Sequence, residues 1–402
     1  MRKTLETQRS FPTLGARWNF FGTALFVAHA LGCAASRPAA RVPETSETPR
    51  VETLGTIVVT PDSTATVPEL LRAAEAHEKK GELEAAAKLY DRVANVAIDG
   101  SEVEALFRAG DAYDQLGKNP EALTRFARFS DRYTAHPRFA DATLRAIRLA
   151  SYLGEWSHSG RLADRLLGRA KEMRPLDAIV VYGGKALDLA ARGDDANAYL
   201  NVERGVSLVE RHGLDLAGRL PRDLAQLYFA RGEVYRVRGE RIRLAPPPRD
   251  FLQALERRCQ ALLDAQRAYS DTFRAYDAHW SAMAGFRVGE LYQKLHEELM
   301  RVEPPNTADT QARQQLFEGV MRFRYSVLLE KAGSMMDHTL QMSERTGEQS
   351  EWVERARKAR EDIRSAEQRE REALDRLPYT RAELEAGLKE LEDAAKRRQP
   401  TR

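Results

Sequence analysis

The chain has 402 residues, 43% of them apolar and 31% charged, and its 63 Lys and Arg nearly balance 60 Asp and Glu. Near-neutral charge with no basic cluster argues against nucleic acid as a partner. The two cysteines, Cys33 and Cys259, exclude a disulfide framework and a CxxC metal site.

Arg2, Lys3, Arg9 and Arg17 precede an apolar run from Trp18 to Leu31. The run is about 14 residues long, short of the ~20 that cross a bilayer as a helix. Basic flank, short apolar core and small residues at the end predict a signal peptide over 1–32. The sequence Ala30-Leu31-Gly32-Cys33 resembles the lipobox of bacterial lipoproteins. That resemblance implies that Cys33 is lipidated and becomes the first mature residue. Its acyl chains would then hold the protein to a membrane, each buried CH₂ adding ~0.8 kcal/mol. Ala34 and Ala35 follow with no acidic residue, which by resemblance to enterobacterial sorting rules implies the outer membrane. Two alternatives stand beside this one. Ala28-His29-Ala30 would serve as an ordinary cleavage site for a soluble exported protein, or the run would stay as an uncleaved anchor.

Residues 33–67 are rich in Pro, Thr, Ser and Glu, so a disordered tether is expected there. Leu54 to Val59 (LGTIVV) interrupts it, as a sticky spot in a linker or a strand for a partner's sheet edge.

From Glu104 to Tyr133 two amphipathic helices are written around Gly117-Lys118-Asn119-Pro120. Leu106, Ala109, Gly110 and Tyr113 share one face of the first, and Ala122, Phe126 and Phe129 one face of the second. Small residues mark a close helix approach, and aromatics fill the gap. A hairpin of this kind cannot bury its apolar face alone, so neighbours must stack on it. Gly81, Gly117, Gly154 and Gly193 recur at intervals of 36, 37 and 39 residues and predict the turns of four successive hairpins. Gly110-x-x-Tyr113 returns as Gly232-x-x-Tyr235 and Gly289-x-x-Tyr292, which predicts a fifth and a sixth first helix. Ala245-Pro246-Pro247-Pro248 breaks the fifth hairpin before a long helix to about Tyr276, whose apolar stripe includes Cys259 as a buried, inert thiol. The sixth hairpin's second helix runs from Ala308 past Gly333 towards Arg345.

Gly347 closes the repeat region, expected over 68–345. The remainder, 346–402, reads as charged C-terminal helices. Glu351 to Leu377 has a narrow seam of Trp352, Ala356, Ala359 and Ile363, as a capping helix with a polar outer face would. Thr380 with Glu383 predicts a capping box for the last helix.

The order Leu106, Gly110, Tyr113, Ala122, Phe126 resembles the tetratricopeptide repeat (TPR) pattern. The resemblance implies an all-α, TPR-like helical-hairpin solenoid that binds protein segments along the inner face of its first helices. By position it assigns the groove to Glu75, Glu78, Phe107, Asp111 and Asp114, then Arg148, and later Phe229, Glu233 and Arg236. A lipid anchor followed by such a solenoid resembles TPR lipoproteins of bacterial outer-membrane assembly. The expected protein is therefore a periplasm-facing outer-membrane scaffold whose partners are other envelope proteins.

No HExxH, Walker loop, GxGxxG or GxSxG occurs, and the eight histidines lack ligand spacing. No catalysis, cofactor or metal is expected. The alternative function is a soluble periplasmic carrier or accessory protein that binds a small ligand or glycan between helices, with Tyr276, Trp280 and Phe286 lining the pocket.

Overall fold

The computed structural model describes residues 65–216, 218, 220–244 and 251–397. The expected signal peptide (1–32), Cys33, nearly all of the tether (33–67) and the Ala245–Pro248 break lie outside the described residues. Among the described residues there are fourteen α-helices and no strand. They are α1 (Val67–Lys79), α2 (Leu83–Val96), α3 (Ser101–Gln115), α4 (Asn119–Arg132), α5 (Phe139–Tyr152), α6 (Trp156–Leu167), α7 (Pro175–Ala191) and α8 (Asp195–His212). Then come α9 (Arg222–Glu240), α10 (Phe251–Phe273), α11 (Ala278–Met300), α12 (Gln311–Thr346), α13 (Glu351–Asp375) and α14 (Arg381–Arg397). From α1 to α12 consecutive helices pair as hairpins and each hairpin stacks on the next, while α13 packs on α11 and α12, and α14 on α12.

The first four hairpins turn in one way. Gly81, Gly117, Gly154 and Gly193 all have positive φ, between +71° and +79°. The residue after each glycine donates its N–H to a carbonyl five residues back, at 2.8 to 2.9 Å (Glu82 to His77, Lys118 to Tyr113, Glu155 to Ala150, Asp194 to Leu189). This is the Schellman closure, which wants a left-handed residue that glycine supplies without a Cβ clash. The expected capping box also forms: Thr380 N–H donates to Glu383 Oε2 at 2.7 Å at the head of α14.

Helical glycines set the approach within hairpins. A Cβ on Gly110 would stand 3.0 Å from the Phe126 ring, one on Gly232 2.4 Å from the Tyr269 ring, and one on Gly289 2.6 Å from Met336. In each of the three G-x-x-Y helices the glycine therefore lies under a large side chain of the hairpin's second helix.

Two apolar cores result. The first runs from Leu70 to Tyr182, through the first three hairpins into α7. The second runs from Ile179 to Ile363. α7 belongs to both: Val180 and Val181 enter the first core, while Ile179, Leu187 and Leu189 enter the second. It is apolar nearly all round, as a helix buried on two faces must be. Trp352, Val353, Ala356 and Ile363 bring α13 into the second core, and its remaining face is charged.

Candidate functional site

The first helices of the early hairpins, α1, α3 and α5, form one partly exposed, charged face. Glu78 accepts from Arg108 Nη1 (3.0 Å) and from the Tyr90 hydroxyl (2.7 Å). Arg108 also reaches Glu104 (3.1 Å), and Glu104 reaches Arg138 (3.3 Å). Arg145 donates to Asp111 at 2.7 Å and lies 3.5 Å from Asp114. Burial pushes the Asp114 carboxyl above the usual range, against the pull of Arg145. Phe107 lies beneath, edge-on to Phe126 and Phe129 at 5.5 and 5.6 Å, with the Arg138 guanidinium 4.6 Å from its ring centre.

A rule runs through the early hairpins, on their first and second helices alike. An acidic residue pairs with a basic residue 34 positions later: Asp91 with Arg125, Asp111 with Arg145, Asp131 with Arg165. Glu84–Lys118 and Glu104–Arg138 have the same spacing. Each pair joins one hairpin to the next.

Towards the C-terminus the interior is filled by the chain's own side chains. Arg148 forks onto Asp223 (2.8 and 3.0 Å) and touches Asp177 (3.3 Å), tying α5 to the starts of α7 and α9. Glu233 is fully buried. It accepts from the Tyr269 hydroxyl (2.6 Å) and from Arg236 (2.8 Å), and Arg287 Nε stands 2.9 Å away without directing its N–H at the carboxylate. Burial works to raise the Glu233 carboxyl, but the Arg287 and Arg236 charges outweigh it and hold it down at about 2. Burial, with Glu233 alongside, drives the Tyr269 phenol well above its ordinary value.

Beside this cluster lies an aromatic joint. Trp156, at the start of α6, stacks on Trp352 of α13 (6.3 Å, 20°) and packs on Phe229 (6.0 Å). Trp280 and Phe286 of α11 meet the same group through Phe229 and Trp352. A Cβ on Gly154 would lie 3.7 Å from the Trp352 ring, so the third hairpin's turn touches α13 directly.

The nine residues assigned to the groove therefore divide. Glu75 is exposed, and Glu78, Asp111 and Asp114 are about a third exposed and already ion-paired. Phe107 is buried beneath them. Three assignments need correction: Phe229 and Glu233 are fully buried and Arg236 nearly so, because α10 and α11 cover that part of α9. They cannot meet a partner. Arg148 is committed to two aspartates within the fold. Residues not singled out from the sequence include Arg108, Arg138 and Arg145 on the charged face, and Trp156, His279 and Arg287 in or beside the joint that Trp352 of the expected seam helps form. Arg138 and Arg145 were detectable as bases 34 positions after an acid, Glu104 and Asp111.

Tyr276, Trp280 and Phe286 do not share a pocket wall. Trp280 and Phe286 are buried, whereas Tyr276 is 71% exposed with φ +52°. A cleft of about 500 Å³ opens elsewhere, between the ends of α9 and α11, lined by Glu240, Arg243, Glu298, Arg301 and Glu303. Among the described residues no group of three His, Cys, Asp or Glu side chains could hold a metal, and no helix is long and apolar enough to cross a membrane. Cys259 is a free thiol, and burial raises it above its ordinary value. That suits an unreactive thiol.

Residues 104–135 match the tetratricopeptide repeat family. The match covers most of α3, all of α4 and the residues just after it. Among solved structures, the chain is similar to a tetratricopeptide repeat protein from Parabacteroides merdae, at 13% identity over 74% of this chain and 98% of that one, with TM-score 0.37. It is similar to TPR-like repeats of a putative kinesin light chain from Podospora anserina, at 17% identity over 50% and 97%, TM-score 0.30. It is also similar to the TPR domain of P58(IPK), at 12% identity over 84% and 100%, TM-score 0.23. No curated protein matches the chain.

Proposed function

We propose that this protein is a scaffold of the bacterial envelope, moored at the outer membrane by a lipid on Cys33 and holding other envelope proteins against its N-terminal hairpins. One observation carries the placement of the partner surface. The first-helix face of α1, α3 and α5 stays accessible, while the corresponding region from α9 onward is covered by the chain itself. On the open face every ion pair is a third or more exposed on at least one side, so a partner's charges can exchange with them at little net cost. The scaffold has no catalytic role, and its partners are proteins.

Photo-crosslinking from intact envelopes tests the surface. A photoreactive residue at position 75 or 108 should capture discrete protein partners, and one at an outward position of α13, such as 357, should capture far fewer. Equal or no capture from the two sets would refute the placement. Anchoring has its own test: the native chain should carry an acyl label and need detergent for extraction, and Cys33→Ala should lose both. A native chain that washes off without detergent and carries no label would instead favour the soluble carrier.

A further inference from the structure

His279 lies at the start of α11, buried where three distant elements meet. Its Nδ1 is 2.9 Å from Glu348 Oε1, in the turn between α12 and α13. Its Nε2 is 2.6 Å from the carbonyl oxygen of Tyr152, the last residue of α5. The imidazole also stacks on the Tyr152 ring at 3.9 Å. Both polar partners are acceptors. A neutral imidazole has one N–H, so it could satisfy one of them and would turn a lone pair towards the other. Only the imidazolium donates to both.

The surroundings suit that cation. The Tyr152 carbonyl is among the last four of α5, which lack intrahelical donors and form the negative pole of the helix. The Glu348 carboxylate supplies a full charge, and the face of the tyrosine ring adds a further attraction. Other charged groups face the same spot. Arg222 of α9 lies 4.6 Å from the Tyr152 ring centre and opposes a second cation, but its charge is met by Asp277 at 2.7 Å. Asp277 caps α11 by accepting from the Trp280 N–H (3.0 Å). The Tyr152 hydroxyl, pushed up to about 12 by burial, stays neutral.

We propose that His279 is a proton-dependent latch. As imidazolium it clamps α11 and the α12–α13 turn to the end of the third hairpin and keeps the aromatic joint shut. Loss of one proton breaks one of the two bonds and weakens the attraction to Glu348. Opening would uncover Trp156, Trp280 and Trp352, enlarging the surface open to a partner. That consequence rests on the scaffold function proposed above, whereas the latch is measured with no partner present.

Hydrogen exchange in the first turns of α11 and α13 of the full chain, corrected for intrinsic rates, reads the opening directly. Between about pH 5 and about pH 8, the span over which histidine charge changes, the opening constant of the native chain should rise about tenfold. His279→Gln should show the open-prone value at both pH values, and Glu348→Gln should shrink the response. A native opening constant that does not change, or a His279→Gln chain that keeps the full change, overturns the latch. Should His279→Gln fail to fold, ¹⁵N spectra of the histidine side chains in the native chain decide. Two ring N–H groups on His279 at the lower pH support the proposal, and a single one there overturns it.

Discussion

The first three hairpins and the helices from α9 onward solve the same packing problem differently. From α1 to α6 the helices are 12 to 15 residues long, the partners of the recurring ion pairs are 34 positions apart, and the charges stay at least partly exposed. From α9 onward the helices lengthen to 23, 23 and 36 residues at α10, α11 and α12, and charged groups move inside. The early region is joined by many exchangeable contacts, each worth roughly 0–1 kcal/mol. The later region depends on a few buried groups that cannot lose a partner cheaply. The lesson is that regular spacing leaves a face open, whereas lengthened helices bring enough surface together to close one.

Substitutions in the two regions should therefore differ in cost. Glu233→Ala removes the buried carboxylate between Arg236 and Arg287, leaving them only the partly exposed Glu240 and Glu290, and should lower stability by about 3–5 kcal/mol in urea denaturation. A loss comparable to that of an early ion pair would erase the contrast. The same cluster has a pH signature. Because the folded Glu233 carboxyl sits near 2, below its ordinary 4.5, its stabilisation is present above the ordinary value and is lost as pH falls through about 2. Glu233→Gln should flatten that acid limb of the stability curve.

Next come the crossing glycines. Gly232→Ala would drive a methyl to within 2.4 Å of a Tyr269 ring that is held by its bond to Glu233. It should cost about 1–3 kcal/mol by thermal or urea unfolding. Gly110→Ala meets Phe126 at 3.0 Å in the more yielding early region, and should cost less than Gly232→Ala. Gly117→Ala meets no neighbour, yet its φ of +71° makes the change cost roughly 1 kcal/mol, a purely backbone effect. The smallest effect belongs to the ladder. Asp91→Ala should cost at most about 1 kcal/mol, and the difference from the native chain should shrink in high salt.

Much of the fold was legible in the residues. Turn glycines at near-regular intervals and the thrice-repeated G-x-x-Y gave the hairpins, since a left-handed turn and a close helix approach each have few chemical solutions. The face of α1 and α3 followed from the position-by-position resemblance to tetratricopeptide repeats. The closure of the array did not. It depends on His279 reaching Tyr152 across 127 positions, and on Trp352 reaching Trp156. Such contacts come from small rotations accumulated over several hairpins, which no local pattern encodes. Phe229, Glu233 and Arg236 were misplaced for this reason. Their position within a hairpin matched that of open-face residues, but the helices that cover them are supplied from α10 and α11.

The contact between Trp156 and Trp352 carries the claim that the C-terminal hairpins fold back onto the third. A double-mutant cycle with Trp156→Ala and Trp352→Ala, followed by urea unfolding, measures it directly. The stacked rings should give a coupling energy of about 0.5–1.5 kcal/mol. Strictly additive losses would mean that the two ends do not meet.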